Sequence, residues 1–400
     1  MSDTATGARF FPTLFRAGLA VGIAGIAASA AAAVLEPAYF FRACLYGFEF
    51  WLGVSLGCVA ILLLHYRMGG GWGVATRRIF EAGAMVLPLP ALALIPVLLG
   101  LPYVYEWANA AAVAGDPVLQ HKAAYLNPTF FMLRSLVYVA LWTALAWLFF
   151  SRSRAQDTTD SPQPTRQLVL LSGPGLAVLI LSGSFAWMDW LMSLEPKWYS
   201  SVYPLLVLSG QATSSLALGV IVAATVAEDP VVGRTLTRER FHDLGTLLFT
   251  FVFFWAYLNF SQLIVIWSGN LTEEIPWYLT RSSGGWEYVA AALFALAFVL
   301  PFFLLLFRSI KRDRKKLRWI AALVFAMQMV HAYWLQAPPF QPAGPEFHWP
   351  YAATLLGVGG LWLAAFAWLI QQRPLLPVRA PEFPDVLPKH TAVPILAEGE

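Results

Sequence analysis

The sequence predicts an all-α polytopic membrane protein with ten transmembrane helices and both termini in the cytoplasm. Three observations carry that prediction. Of 400 residues, 58% are hydrophobic and only 12% charged, against about 25% charged in an ordinary soluble chain. Ten apolar runs reach the roughly 20-residue length that crosses a bilayer core. The segments joining them alternate between basic and nearly free of positive charge. A soluble multidomain enzyme, a disordered chain, a collagen and a disulfide-stapled secreted protein are all excluded.

The runs, in order, are 14–35, 43–65, 79–101, 130–150, 168–190, 203–227, 243–268, 286–307, 319–337 and 351–371. The first is too long for a signal peptide and lacks a cleavage-like flank, so it is read as helix one. Residues 1–13 then form a cytoplasmic N-terminus, 14–371 the membrane domain and 372–400 a cytoplasmic Pro-rich tail. The segment 151–167 is a polar linker, and the chain after Arg373 is expected to be extended or disordered. With the N-terminus inside, 21 of the 26 Lys and Arg residues fall on the cytoplasmic side. Only Arg42, Lys122, Lys197 and Arg281 lie outside, and Arg134 sits within helix four. That bias is the positive-inside signature. The basic run Arg308–Arg318 is its strongest element and reads as a topogenic anchor between helices eight and nine.

A formal charge of +3 implies no nucleic-acid partner. Cys44 and Cys58 lie about 21 Å apart along one helix and cannot bridge. The chain has no CxxCH haem site, no four-cysteine set, no HExxH and no glycine-rich phosphate loop. His65 and His331 lie toward opposite faces, which argues against a b-type haem held between them. The expectation is a chain that binds no metal and no redox cofactor of its own.

Ionisable groups inside a bilayer are costly and mark function by default. The candidates for a proton path are Glu49 and His65 on helix two, Glu81 on helix three, Asp189 on helix five, Asp243 on helix seven and His331 on helix nine. Glu81, Asp243 and His65 would form a cytoplasmic entrance; Glu49, Asp189 and His331 an external exit. Arg134, Gln211, Asn259, Gln262 and Glu287 would give polar support. Each has a plainer role: Arg134 could neutralise Glu49, Asp189 and Glu287 could be interfacial carboxylates, and Asn259 with Gln262 could glue helices together. Most of the set lies in the external half, which suits a wet cavity, a quinol pocket opening outward or a docking surface for external proteins.

A weak internal repeat is visible. Phe80-Glu81-Ala82-Gly83 opens helix three and His242-Asp243-Leu244-Gly245 opens helix seven. Trp187-Met188-Asp189-Trp190-Leu191 ends helix five and His331-Ala332-Tyr333-Trp334-Leu335 ends helix nine. Four helices separate each pair, so helices 2–5 and 6–9 would be parallel repeats.

Three stretches carry a family resemblance: Phe185–Gly210 (FAWMDWLMSLEPKWYSSVYPLLVLSG), His242–Tyr278 (HDLGTLLFTFVFFWAYLNFSQLIVIWSGNLTEEIPWY) and Tyr125–Arg134 (YLNPTFFMLR). The chain resembles the ActF-type membrane subunits of bacterial alternative complex III, within the NrfD/polysulfide-reductase membrane-subunit group, over nearly all spans in order. The family pattern has a histidine where this chain has Lys197, and an acid displaced from Asp189. The resemblance implies two four-helix bundles, helices 2–5 and 6–9, with one flanking helix at each end of the chain. It implies a multi-pass protein of the bacterial inner membrane, partnered by a sister NrfD-like subunit, an iron–sulfur subunit and multihaem cytochrome c subunits. Haem c and iron–sulfur clusters would sit on those partners, with quinol handled at the level of the complex.

The leading expectation is therefore a scaffold subunit of a respiratory quinol-oxidising complex that contributes a proton-conducting path, accessory to catalysis. The alternatives are a subunit that binds quinol itself near Glu49, Arg134, Asp189 and His331, a secondary transporter that uses the proline-rich helix three, and an inert anchor.

Overall fold

The structure, a computed structural model, describes residues 6–377 and 379–383. It is 82% helical with no strand among them. Nine helices there are long and apolar enough to cross a membrane: α1 (Thr6–Leu35), α2 (Pro37–Met68), α3 (Gly71–Leu99), α4 (Pro128–Gln156), α5 (Gln163–Trp190), α6 (Tyr203–Val226), α7 (Arg238–Gly269), α8 (Trp286–Leu306) and, at the end, α10 (Trp349–Ile370). The chain is a multi-pass helical membrane protein. Between α8 and α10 lies α9 (Arg314–Gln336), as long as its neighbours but less apolar. It opens with Arg314, Lys315, Lys316 and Arg318 and carries Gln328, His331 and Gln336 along its buried side.

Two helices are broken where proline dictates. α3 is regular only to Met85; Pro88, Pro90 and Pro96 then cut it into the short pieces Pro88–Ala91 and Leu94–Leu99. Each proline removes a backbone donor and crowds the preceding turn. The backbone recovers with tighter bonds, such as Leu92 N–H to Leu89 O at 3.1 Å and Ile95 N–H to Leu92 O at 3.1 Å, the pattern of a 3₁₀ turn. In α8 the turn Leu293–Val299 widens into π-helix just ahead of Pro301, which has no N–H to return to the turn before it. α7 is unbroken for 32 residues and ends at Asn270, in the left-handed conformation with φ 49°.

Packing sorts the helices into two closed rings. α2 packs on α3, α3 on α4, α4 on α5 and α5 back on α2; α6 packs on α7, α7 on α8, α8 on α9 and α9 back on α6. The rings meet along α2 and α6. These two helices are enclosed by protein: 89% and 83% of their most apolar windows are buried, against 28% for α7 and 22% for α8. Glycine permits the contact: a Cβ on Gly57 of α2 would strike the Gln211 carbonyl oxygen and the Ser215 hydroxyl of α6. Ser215 donates to the Val54 carbonyl at 2.6 Å across the same seam.

α1 and α10 pair with each other, and both lie against α2 on the first ring. Gly18, Gly22 and Gly25 of α1 face Gly357 and Gly360 of α10, and a Cβ on Gly18 would stand 2.8 Å from the Gly360 carbonyl oxygen. Small residues that let two backbones touch are the usual basis of helix association in lipid. Ser29 and Thr354 close the pair with a hydroxyl–hydroxyl bond of 2.8 Å.

The segment after Arg373, expected to be extended or disordered, is described as far as Phe383. The described part of 374–383 is not helical at first and then turns, but it is docked: Leu376, Ala380 and Phe383 are buried. Gln156, at the end of α4, donates to the Arg379 carbonyl at 3.1 Å. The remainder of the tail, including Lys389, lies outside the described residues.

Candidate functional site

Where α2, α6 and α9 meet, the structure gathers a buried polar cluster. Glu49 of α2, Gln211 and Ser214 of α6, and Gln328 and His331 of α9 line a cavity of about 10 Å³, closed by Phe50, Val207, Gly210 and Leu335. Glu49 is 3% exposed and accepts a hydrogen bond from Gln336 Nε2 at 3.2 Å. No salt bridge reaches it among the described residues. The Gln211 amide lies beside the Glu49 carboxyl, although neither amide atom completes a hydrogen bond of ordinary geometry. His331 is fixed by aromatics: Trp255 Nε1–H donates to its Nδ1 at 3.4 Å, and Trp334 stacks on it at 6.2 Å. Gly210 makes room for this arrangement, since a Cβ there would meet Gln328 Oε1 at 2.9 Å and His331 Nδ1 at 3.7 Å.

Of the residues expected from sequence, this cluster unites Glu49, Gln211 and His331. Gln328, Gln336 and Ser214 were not among them. A signal for one of these was present: Gln328 lies i, i+3 from the expected His331 and shares its helix face.

The other candidates go elsewhere. Asp189 is a buried counter-ion, not an interfacial carboxylate: it is 1% exposed and grips Arg134 bidentately, with Nε at 2.7 Å and Nη2 at 2.9 Å, while the Tyr138 hydroxyl donates at 2.9 Å. Arg134 therefore neutralises Asp189 and not Glu49, and Asp189 is no part of the Glu49–His331 group. Glu81 is likewise ion-paired, by Arg78 at 2.7 Å and Arg373 at 3.0 Å. His65 faces Arg77, with Nη2 3.3 Å from its Nε2, and packs edge-on to Trp72. Asp243 stands apart, its side chain 40% exposed, 3.5 Å from Arg240 one turn back. The expected entrance of Glu81, Asp243 and His65 is thus divided among three separate pairings. The repeat is echoed here, because Arg78 with Glu81 and Arg240 with Asp243 are both i, i+3 pairs ahead of a glycine.

Asn259 and Gln262 share a helix face but not a partner. Asn259 is half-buried and donates to its own helix, to the Trp255 carbonyl at 2.8 Å. Gln262 is buried and accepts from the Ser200 hydroxyl at 3.4 Å. Glu287 caps the start of α8, accepting from the Gly285 N–H at 2.8 Å.

The loops at the far end from the tail are tied by charge. Arg281, 1% exposed, bonds Glu195 at 3.1 Å, donates to the Leu335 carbonyl at 2.9 Å and lies 3.8 Å over the Trp277 ring. Burial pulls the Arg281 guanidinium below its ordinary range and pushes the Glu195 carboxyl up; each opposes the other's shift. Lys197 pairs with Asp116 at 2.6 Å. The hydrogen bond from Lys197 holds the Asp116 carboxyl below its ordinary range, helped by backbone donors.

Among the described residues no group of three or more His, Cys, Asp or Glu side chains is placed to hold a metal ion. Cys44 and Cys58 are both free and buried. Comparison with protein-family models gives no match, and comparison with curated proteins gives none either.

Proposed function

We propose that this chain is an accessory integral subunit of a respiratory quinol-oxidising complex in a bacterial inner membrane, and that its own contribution is a proton-holding centre at Glu49 and His331. The respiratory part rests on the resemblance carried by Phe185–Gly210 and His242–Tyr278. In this reading α9 is a tenth span, kept from lipid by α6 and α2 so that it can bear glutamines and an imidazole. The two helix rings are the family's paired four-helix bundles, and the basic segments put both termini in the cytoplasm. Redox groups would be carried by partner subunits: a sister NrfD-like protein, an iron–sulfur protein and multihaem cytochromes.

One observation carries the proton-holding part. Of the three deeply buried carboxylates among the described residues, Asp189 and Glu81 are committed to arginines, whereas Glu49 has an amide partner and an imidazole across the cavity. A carboxyl without a fixed counter-ion is the one able to take up and give up a proton. The secondary-transporter reading is weaker on one specific point. The broken helices α3 and α8 are not at matching positions of the two rings, where a transport site between repeats would put them.

Two measurements test the proposal. Purified in mild detergent, the chain should bring cytochrome and iron–sulfur proteins with it. In that assembly Glu49→Gln should lower proton release coupled to quinol oxidation at least tenfold, whereas Asp243→Asn should leave it within twofold. Isolation as a lone chain sinks the respiratory assignment, and unchanged coupling in Glu49→Gln sinks the role of this carboxyl.

A further inference from the structure

The cavity between Glu49 and His331 poses a physical problem that the proton-holding reading does not address. Several polar atoms of its lining are buried without a hydrogen bond of ordinary geometry: His331 Nε2, Gln328 Nε2 and both amide atoms of Gln211. Every one of those residues is 5% exposed or less. Buried polar groups are almost always bonded, to protein or to ordered water. These four atoms belong to residues that line one void, so a single small ligand could reach all of them.

We infer that this cavity is a binding site for a single water molecule, held between Glu49 and His331 with Gln211 and Gln328 as its further partners. Size is the first argument. The cavity measures about 10 Å³, and one water requires roughly 10–15 Å³ together with two to four polar partners. Polarity is the second. Trp255 donates to Nδ1 of His331, so in the neutral ring the hydrogen sits on Nε2 and makes that atom a donor. The Gln328 Nε2 group is a donor as well. The Glu49 carboxylate and the Gln211 Oε1 accept. A water matches both kinds, whereas a bare metal ion would face two N–H groups and too few oxygens.

Position is the third argument. Glu49 belongs to the first ring and His331 to the second. The water would join the two rings by hydrogen bonds, giving a proton a path from one to the other. Ser214 borders the cavity, and its hydroxyl hydrogen goes to the Gly210 carbonyl at 2.8 Å, so it has no proton to give the water. The inference depends on the Glu49 centre of the proposed function and not on its respiratory partners.

Ser214→Val provides the test, because the added methyl group fills about the volume of one water while Glu49, His331 and both glutamines stay unchanged. A high-resolution map of the full-length protein in lipid nanodiscs should show one isolated density within hydrogen-bond distance of Glu49 and His331 Nε2. Infrared spectra should show an O–H stretch that shifts in ¹⁸O-water, present in the wild type, retained in Ser214→Ala and lost in Ser214→Val. A dry cavity, side chains collapsed onto one another, or an ion with five or six oxygen ligands would overturn the inference. The wild-type map decides the matter even if the valine variant fails to fold. A water found in a chain that purifies without redox partners would leave this site standing and remove only the respiratory assignment. A dry site in a working complex would do the reverse.

Discussion

At Asp189 the environment leaves one job open. Its carboxylate meets Arg134 bidentately and the Tyr138 hydroxyl, and the guanidinium lies over Tyr125 at 3.9 Å and Phe130 at 4.2 Å. Removing one partner of a buried pair strands the other, which costs about 3–5 kcal/mol. Asp189→Ala is expected to destabilise by that order in denaturant titration of the detergent-solubilised protein. Glu49→Gln keeps an oxygen for Gln336 and strands no charge, so it should cost about 1 kcal/mol or less. Equal losses would show that Glu49 is a structural counter-ion after all. The loop pair Asp116–Lys197 gives a pH prediction. Its carboxylate is held below the ordinary range, so the tie is complete above that range and is lost as pH falls through the depressed value. Hydrogen exchange in 109–125 should therefore match between wild type and Asp116→Asn only in strong acid, with the variant less protected at neutral pH. The identities of the buried acids were legible in sequence because charge in an apolar run stands out. Their pairing was not. Rise per residue fixes the depth of Arg134 and Glu49, but the rotation of each helix about its axis decides whether Arg134 meets Glu49 or Asp189.

The helices show the same division between what the sequence makes plain and what packing adds. Apolar runs located the spans, 319–337 of α9 among them, and helix three stood out as proline-rich, but composition did not say which neighbours would cover the polar residues of α9. Its basic first turn and its Gln328, His331 and Gln336 make it the least apolar of the long helices, and they are tolerated because α6 and α2 cover them. The π turn of α8 was also hidden, since Pro301 lies beyond the residues it distorts. The pairing of α1 with α10 follows from glycine spacing: Gly18, Gly22 and Gly25 place bare backbone against Gly357 and Gly360. Gly25→Leu drives a side chain into the α10 backbone, where no flexible atom can yield. Overpacking of this kind costs about 1–3 kcal/mol. A cysteine pair replacing Ser29 and Thr354, whose hydroxyls now touch, should cross-link readily in the parent and several-fold more slowly with Gly25→Leu added. Undiminished cross-linking would mean that the two helices are held by something other than their glycine faces.

Across the whole molecule, the chain's last described segment returns to its first ring. Arg373 follows α10 and bonds Glu81 of α3 at 3.0 Å and Asp157, just past α4, at 2.9 and 2.5 Å. Arg78 takes the same two carboxylates, Glu81 at 2.7 Å and Asp157, and both arginines reach the Ser153 hydroxyl. Two guanidiniums and two carboxylates thus alternate, which balances charge at a place where either sign alone would be expensive. Beyond Arg373 the strap continues to Glu382, which meets Arg77 at 3.4 Å beside His65. The strap therefore covers the ends of α2, α3 and α4 together, and a helical membrane domain gains a clasp from a segment whose composition suggested none. Arg373→Ala leaves Glu81 and Asp157 to share Arg78. Because Asp157 is 27% exposed, the loss should fall below the fully buried case, at about 2 kcal/mol. It should appear as faster hydrogen exchange in 71–85 and 150–163 and as new protease cleavage after Gln372. Adding Glu81→Gln removes the surplus negative charge and should recover a good part of the loss, since residues of one network are coupled and not additive. If the double variant is simply the sum of the two singles, the clasp is a set of independent surface contacts, and the tail does not hold the ring closed.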